Sequence, residues 1–428
     1  MRRMKKIAGV LLALTLLTGC GGAGGSSDTA EKNSGGGTKS IRLVSGKIEI
    51  DAPLKEYAKE YEDKTGVKVT IESLGGGVDI ASTIKGYLAA GNMPDLFVFG
   101  GEGEYTTWKD QFADLSNEPW VQDTDLAYRS PEGTVVGFPY AVEGYGLTYN
   151  KDLLDKAGID PKSLVNIDAY KKAFEKLDSM KDELGIVAVN SVAAESGQMY
   201  WSLGNHDFGT YLATGLEKDD TTYIDMLKEG KIDRDRMKQY GEFVKLLFDY
   251  SDKNVLLSGT YDDQLALWAQ GKTVFVHQGN WIDPSLETYG VTFNVGMSPL
   301  AFDKKDTDGI LADAPSWWGV YKDSKNLQEA KDFINSLAST PEGAECLVTK
   351  CGMISPFKSN TVKPSSPLAL DLMNWVQEEK TYSWQWTKAP EGFALNVSGP
   401  VFESFARGDV DVDGFVDLME NAIGQIKK

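Results

Sequence analysis

Periodic apolar positions divide the chain into alternating strands and helices from residue 41 onwards. IRLVSGKIEI (41–50) predicts a first strand, and PLKEYAKEYEDKTG (53–66) has apolar residues at helical spacing. VKVTIES (67–73) alternates as a strand does, and a helix is predicted over 79–94. DLFVFG (95–100) is a continuous apolar run, which is typical of a strand buried on both faces. This order predicts an α/β fold in which crossover helices connect the strands of a parallel sheet.

Later segments continue the pattern with amphipathic helices. Their sequences are AYKKAFEKLDSMKDEL (169–184), IDRDRMKQYGEFVKLLFDYSD (232–252), NLQEAKDFINSLAST (326–340) and a last helix over 414–428. Ligands of open α/β sheets lie beyond the carboxyl ends of the strands. The loops that follow DLFVFG, GFPYAVE and TVFVHQG are therefore the places where we expect a site.

The first twenty residues are predicted to be a secretory signal rather than folded structure. Arg2, Arg3, Lys5 and Lys6 precede the apolar run IAGVLLALTLL, and the segment closes on LLTGC. This ending resembles the lipobox of bacterial lipoproteins, in which the cysteine, here Cys20, carries the lipid. The Gly/Ser-rich segment 21–40 is predicted to be a tether. We therefore expect a lipid-anchored protein on the extracellular face of the cell membrane.

The charge of the chain argues against nucleic acid as a partner. The formal net charge is −19, and without the four basic residues of the predicted signal 40 basic and 63 acidic residues remain, a charge of −23. A chain of 428 residues is also long enough for two domains, and no stretch after residue 20 is apolar enough to span a bilayer. Cys346 and Cys351 are expected to form a disulfide in an oxidising compartment, with two free thiols as the alternative.

Most catalytic chemistry finds no support in the sequence. Only His206 and His277 are present, which disfavours Ser-His-Asp triads and histidine-rich zinc sites, and no GxSxG, P-loop or HExxH motif occurs. Paired carboxylates for glycoside hydrolysis remain open, because 63 acidic residues offer many pairs. No cofactor is expected.

One acidic segment matches the spacing of a calcium-binding loop. DVDVDGFVDLME places four carboxylates at the EF-hand positions, namely Asp409, Asp411, Asp413 and Glu420. An acidic turn that leads into the last helix, with Asp413 near its N-cap, is the favoured interpretation.

The tryptophans are the stronger signal. Ten are present, and several lie beside Gly, Asn or Pro in loop-like segments: QMYWSLGNHDFG, HQGNWIDP, APSWWGV and YSWQWTKAPEG. Pyranose rings stack on such side chains, and sugar hydroxyls need acceptors such as carboxylates. Glu143 lies in the aromatic stretch GFPYAVEGYGLTYN, so we expect it to pair with sugar hydroxyls in a cleft. The alternative partners are backbone amides or a lysine.

Four segments together resemble the extracellular solute-binding proteins of bacterial sugar ABC transporters, of the maltose-binding protein type. They are MPDLFVFGGEGE, PYAVEGYGLTYNKDLLDKAGI, TVFVHQGNW and SWWGVYKDSKNLQEAKDFINSLASTPEGAE, in the order of the family. The resemblance implies the two-lobed periplasmic-binding-protein (Venus flytrap) fold, with discontinuous lobes joined by hinge strands. Its boundaries would be 41–142 and 316–375 for lobe 1, 143–315 for lobe 2, and 376–428 for a C-terminal part mainly in lobe 2.

The resemblance also implies where sugar binds. Glu143 takes the place of a sugar-binding carboxylate and Glu102 lies near that of a second one. Trp281, with Asn280 beside it, takes the place of a stacking tryptophan. The remaining candidates are Lys47, Tyr200, Trp201, Trp384 or Trp386, and, as departures from the maltose type, His206, Asp207, Trp317 and Trp318.

The function that the resemblance implies is capture of an oligosaccharide and its delivery to ABC permease subunits in the cytoplasmic membrane, by a monomer without enzymatic activity. Three alternatives remain open at this point. A non-sugar solute such as a peptide, polyamine or metal chelate would use the same fold. A secreted glycoside hydrolase would use Glu102 and Glu143 as acid and base, and a structural surface protein would need no ligand.

Overall fold

The computed structural model describes residues 39–75 and 77–426. The predicted signal peptide (1–20), the predicted lipid anchor at Cys20 and the predicted tether up to residue 38 lie outside these residues. Within the two described ranges, no helix is both long and apolar enough to cross a membrane.

Thirteen strands are present in the described part of the chain. They are β1 Ser40–Ser45, β2 Lys68–Ser73, β3 Leu96–Phe99, β4 Tyr128–Arg129, β5 Val135–Pro139, β6 Glu143–Tyr145, β7 Leu147–Asn150, β8 Asn190–Ser191, β9 Phe275–Val276, β10 Val295–Ser298, β11 Ile310–Asp313, β12 Trp317–Val320 and β13 Thr381–Tyr382.

The α-helices of the same ranges lie between these strands, singly or in runs, and after the last strand. They are α1 Asp51–Thr65, α2 Ile80–Ala89, α3 Glu102–Trp108, α4 Lys151–Lys156, α5 Ile167–Ser179, α6 Lys181–Leu184, α7 Phe208–Ala213, α8 Thr222–Lys228, α9 Arg234–Asp249, α10 Lys253–Ser258, α11 Tyr261–Ala269, α12 Asp283–Thr288, α13 Leu327–Ser339, α14 Pro341–Ala344, α15 Pro367–Gln377, α16 Gly399–Arg407 and α17 Val412–Gly424. Ser202–Asp207, Glu345–Lys350 and Ala394–Ser398 are π-helical.

A six-stranded sheet of order β2-β1-β3-β12-β5-β4 forms the centre of the first lobe. The β1–β2 and β1–β3 pairs are parallel, whereas β12 is antiparallel to both β3 and β5. The sheet is therefore mixed rather than parallel as expected. The cause is the late return of the chain, since β12 comes back from the other lobe and inserts between β3 and β5.

A four-stranded sheet of order β10-β7-β9-β8 forms the centre of the second lobe. Its apolar side chains belong to a large buried cluster that also includes residues of α5, α9, α16 and α17. The first lobe has separate buried clusters on the two faces of its own sheet. Each lobe thus has its own core.

A three-stranded sheet of order β13-β11-β6 lies where the chain passes between the lobes. Strands β6 and β11 pair in antiparallel register, with Glu143 opposite Asp313. After the crossings at β6 and β11, the chain crosses between the lobes a third time. This crossing follows the isolated bridge between Val142 and Ile354 and leads to α15, which packs on β10. Because α15 starts at residue 367, the chain re-enters the second lobe before the expected boundary at 375.

Trp317 and Trp318 lie in the core of the first lobe and not at a binding surface, in contrast to expectation. Neighbouring residues of a strand face opposite sides, so the two rings join different clusters. Trp318 is fully buried and stacks on Tyr140 with ring centroids 4.6 Å apart. Trp317 donates its indole N–H to the carbonyl of Leu126 at 2.7 Å. Both rings therefore pack β12 into the core of the first lobe.

The segment that matches the calcium-loop spacing forms the start of α17, which is the interpretation favoured from the sequence, with Asp411 rather than Asp413 as the N-cap. Asp411 is the N-cap and accepts from the Gly414 amide at 2.9 Å, while Asp413 and Glu420 form ion pairs with Lys238 and Arg234. Once helix begins at residue 412, these carboxylates point to separate cations and do not converge. In the portions of the chain that are described, no cluster of His, Cys, Asp or Glu is arranged to hold a metal ion.

Cys346 and Cys351 are free thiols in this structure, in contrast to the expected disulfide. Their sulfur atoms are 4.0 Å apart, at the two ends of the π-helical turn Glu345–Lys350, and both side chains are buried. An S–S bond is about 2.05 Å long, so the pair is adjacent but not bonded.

Replacing Trp318 should test its placement in the core. We expect Trp318→Ala to lower the free energy of unfolding by about 3 to 5 kcal/mol, because the cavity left behind collapses only in part. The midpoint and slope of urea unfolding measure this loss. Val187→Ala, whose side chain is 53% exposed, is the control and should change the value by less than about 0.5 kcal/mol. An unchanged midpoint for Trp318→Ala would contradict the core assignment.

Candidate ligand-binding site

Two adjoining cavities lie between the lobes, of about 230 Å³ and about 470 Å³. They share lining residues from both lobes, which makes them one continuous cleft. The shared residues include Glu104 from the first lobe and Tyr200, Trp201, Asn205 and Trp386 from the second. The smaller cavity is the aromatic end of the cleft and the larger one the polar end.

Three indole rings line the aromatic end. Trp201 and Trp281 meet at 70° with ring centroids 6.4 Å apart, and Trp386 completes the group. Nearly perpendicular rings offer stacking surfaces in more than one plane. Among the described residues, no group accepts a hydrogen bond from the Trp386 indole N–H, which is itself buried.

His206 lies among these rings, 5.0 Å from Trp281 and 5.4 Å from Trp386 between ring centroids. It belongs to the π-helical turn Ser202–Asp207, and its Nδ1 donates to the Trp201 carbonyl at 2.9 Å. Burial lowers the pKa of His206 to about 3, so the ring is neutral. Since Nδ1 carries the proton, Nε2 is an acceptor. A π-helical turn thus aims a neutral acceptor at the cleft.

Lys47 and Glu143 form a buried ion pair at the base of the cleft. Lys47 Nζ is 2.6 Å from each carboxylate oxygen of Glu143 and 5.5 Å from the centre of the Trp281 ring. Burial lowers the pKa of Lys47, but the carboxylates of Glu143 and Glu49 outweigh burial and raise it. The pair is therefore charged, and Lys47 lines the cleft as a cation.

Glu143 itself lies behind Lys47, in contrast to the expected pairing with sugar hydroxyls. It is 1% exposed and does not line either part of the cleft. Burial raises the pKa of Glu143 above its usual value, and the ammonium of Lys47 opposes this rise. Asn280 is placed similarly, since its Oδ1 accepts from the Gly144 amide at 2.8 Å. Both side chains therefore stabilise strand β6, Glu143 through its ion pair with Lys47 and Asn280 through its hydrogen bond to the strand.

Glu104, and not Glu102, is the carboxylate of α3 that lines the cleft. Glu102 is exposed and pairs with Lys228 at 2.7 Å. Glu104 accepts from the Gly100 amide at 3.0 Å and lines both cavities. Burial, with the nearby carboxylates of Glu391 and Asp79, raises the pKa of Glu104 to about 7, against the Gly100 amide and Lys85.

Asp207 belongs to a buried polar network and does not reach the cleft. It lies 2.8 Å from Nε2 of His277 and accepts from the Tyr240 hydroxyl. His277 in turn is within hydrogen-bonding distance of Tyr145 on β6, whose ring stacks parallel to Trp281 at 5.9 Å. The network therefore supports Trp281 from behind.

The segment that follows β13 closes the cleft against the first lobe. Glu391 pairs with Lys85 of α2 and accepts from Thr107 of α3. Gly101, at φ 127°, lies so close to this segment that a Cβ would be 2.1 Å from the Thr387 carbonyl oxygen. The glycine therefore permits the contact in two ways, by its backbone conformation and by its lack of a side chain.

The structure brings part of the expected set together and separates the rest. The candidates that line the cleft are Lys47, Tyr200, Trp201, His206, Trp281 and Trp386. Trp384 is 1% exposed and packs behind Trp281 and Trp386. Residues not predicted from the sequence also line it, among them Glu49, Glu104, Tyr140, Asn205 and Tyr261. Asn205 lies in the loop-like segment QMYWSLGNHDFG, but the direction of its side chain depends on the π-helical turn Ser202–Asp207.

Known proteins are similar to this chain in sequence. The melibiose/raffinose/stachyose-binding protein MelE of Bacillus subtilis is 27% identical over 353 residues, which cover 76% of this chain and 75% of MelE. A maltooligosaccharide ABC transporter solute-binding lipoprotein of Streptococcus pneumoniae is 23% identical over 350 residues, covering 78% of this chain and 75% of the relative.

Solved structures show the same fold. A sugar transporter from Bacillus licheniformis in complex with stachyose superposes with a TM-score of 0.69 at 20% identity, covering 90% of this chain and all of that one. The solute-binding protein RafE in complex with raffinose gives a TM-score of 0.74 at 19% identity, covering 91% of this chain and all of RafE. The expected two-lobed fold of solute-binding proteins is thus confirmed. Residues 56–392, well over half of the chain, match the bacterial extracellular solute-binding protein family, and the chain belongs to this family.

Proposed function

We propose that this protein binds an oligosaccharide in the cleft between its lobes and delivers it to an ABC importer. The observation that carries the proposal is the lining of the cleft: three indoles stand beside the polar side chains of Lys47, His206 and Glu104. Sugar rings need flat apolar surfaces and, at their edges, both donors and acceptors. Lys47 offers a donor, and His206 and Glu104 offer acceptors.

The relatives support a carbohydrate rather than another solute. MelE is named for melibiose, raffinose and stachyose, and the pneumococcal relative for maltooligosaccharides. Two structural neighbours were solved with stachyose and raffinose. The cleft, with parts of about 230 Å³ and 470 Å³, is long enough for more than one sugar ring.

The cellular setting follows from the same reasoning. The family is extracellular and serves solute binding for transport rather than catalysis. We propose anchoring by a lipid on Cys20, an ABC permease as the membrane partner, a monomeric state and no chemical change of the sugar. Capture would use closure of the lobes about β6 and β11.

The first experiment is calorimetry of the purified protein with melibiose, raffinose, stachyose and maltooligosaccharides. We expect tight binding to one linkage class and recovery of the sugar intact by chromatography. Absence of binding across the panel would contradict the carbohydrate proposal, and recovery of cleaved sugar would contradict the role as a transport receptor.

Removing a stacking ring should weaken this binding. We expect Trp281→Ala to cost about 1 to 3 kcal/mol, or about 5- to 150-fold in dissociation constant, because the ligand loses an apolar face in a desolvated site. Trp281→Phe, which keeps a smaller ring, should lose less. Melting temperatures verify that both variants are folded. Native affinity in a folded Trp281→Ala protein would mean that this ring does not contact the ligand.

Affinity should also depend on the ionisation of Glu104, which faces Asp79, Lys85, Tyr200 and Glu391. The deprotonated carboxylate accepts from sugar hydroxyls with both oxygens and more strongly than the protonated acid does, and burial raises the pKa of Glu104 to about 7. We therefore expect affinity to increase with pH, by up to about tenfold per unit, until about pH 7. Above about pH 7 it should level off.

Titrations of the Glu104→Gln protein between about pH 5 and about pH 9 check this assignment, since they should show a flat profile in that range. Glu102→Gln is the matched control: it removes the neighbouring carboxylate of the same helix and should keep the native pH dependence. An unchanged slope in Glu104→Gln would assign the titration to another group.

A further inference from the structure

A separate cavity of about 270 Å³ lies on the second lobe and shares no lining residue with the cleft. Its walls come from β7, β10, the loop around Pro161 and one face of α15. Residues 371, 374, 375 and 378 have the i, i+3, i+4, i+7 spacing of a single helical face. Strands β7 and β10 and helix α15 therefore supply a regular part of the cavity wall, and connecting segments supply the rest.

Two aromatic rings and a carboxylate are fixed in this cavity before any ligand binds. The Trp375 indole N–H donates to Asp371 Oδ2 at 3.3 Å, and the same oxygen accepts from the Met297 amide of β10 at 2.8 Å. Asp371 thereby ties the Trp375 ring to the sheet. Tyr149 of β7 supplies the second ring. A held ring loses little freedom when a ligand stacks on it.

The hydroxyl of Tyr149 is available to a ligand. Tyr149 lines the cavity and is 9% exposed, and its hydroxyl forms no hydrogen bond within the described residues. The ring lies across Gly296 on the neighbouring strand, where a Cβ would be 2.3 Å from the hydroxyl oxygen. The ring is therefore held in place, and its hydroxyl can both donate to and accept from a bound hydroxyl group.

The charges around the cavity favour a neutral ligand with hydroxyl groups. Asp308, Asp371 and Glu378 stand against Lys162 and Lys380, and Glu378 already pairs with Lys380 at 2.9 Å. Mixed signs disfavour an organic cation or an anion as the occupant, whereas hydroxyls use carboxylates as acceptors and ammonium groups as donors. Flat rings beside such groups are the same chemistry that lines the cleft.

We propose that this outer cavity is a second carbohydrate site, which holds one pyranose unit on the surface of the second lobe. Its volume lies just below the range of about 300 to 1,000 Å³ typical of pockets for larger ligands, which fits a single ring. Such a site would keep a longer glycan, or its free end, close to the receptor while the cleft opens and closes. It acts independently of the ligand in the cleft.

Fluorine NMR of the 5-fluorotryptophan-labelled protein tests the proposal at one ring. The Trp375 resonance is assigned by its loss in Trp375→Phe, and the probes are glucose, galactose and raffinose, with choline as a cationic control. We expect the Trp375 resonance to move with at least one sugar, both in the native protein and in a Trp281→Ala protein whose cleft is impaired. The apparent affinity should fall at least about tenfold in Asp371→Ala, which releases the ring.

Tyr149→Phe keeps the ring and removes only the hydroxyl. It is therefore expected to fold even if the Asp371→Ala protein does not, and the test remains decisive. It should weaken the sugar response of Trp375 by about fivefold or more. A Trp375 resonance that ignores every sugar while the cleft resonances respond would overturn the outer site and leave the proposed function intact. A response to choline alone would overturn the assignment to carbohydrate.

Discussion

The ion pair between Lys47 and Glu143 is the constraint on which the arrangement of the cleft depends. A carboxylate buried on a crossing strand costs several kcal/mol unless a cation compensates it. The loop after β1 therefore has to hold Lys47 over β6, and the Trp281 ring of the second lobe lies against the same ammonium. One buried charge thus ties together the first lobe, the passage between the lobes and a stacking surface.

Above this base, the cleft combines rigid apolar rings with polar groups that the protein leaves available. Burial keeps His206 neutral and raises the pKa of Glu104 to about 7, and Lys47 remains a cation beside them. Such groups interact with hydroxyls without requiring a charged ligand. The support lies one layer deeper, where Asp207 and His277 fix Tyr145 behind Trp281.

Local patterns predicted several elements well, and the reason is that periodicity reports burial of one face. Helices α1 and α17 and strand β3 lie where their spacing places them. The choice between Glu102 and Glu104 shows the limit. Helix α3 begins at Glu102, so two residues at about 100° each turn these side chains to nearly opposite sides, one towards solvent and one towards the cleft. The helix start decides this, and the sequence alone did not locate it.

The sequence by itself determined the order of many elements, because this order depends on short-range spacing, and the resemblance of four segments to a known family indicated the family. Only the tertiary structure decided which atoms face the cleft. Glu143 meets a lysine 96 residues away, and Trp318, from a segment that resembled a loop, enters a central strand. Both outcomes depend on contacts between distant segments of the chain, which local spacing does not encode. The ion-pair partner of a carboxylate and the burial of an indole ring are decided by the segments that the fold places beside them.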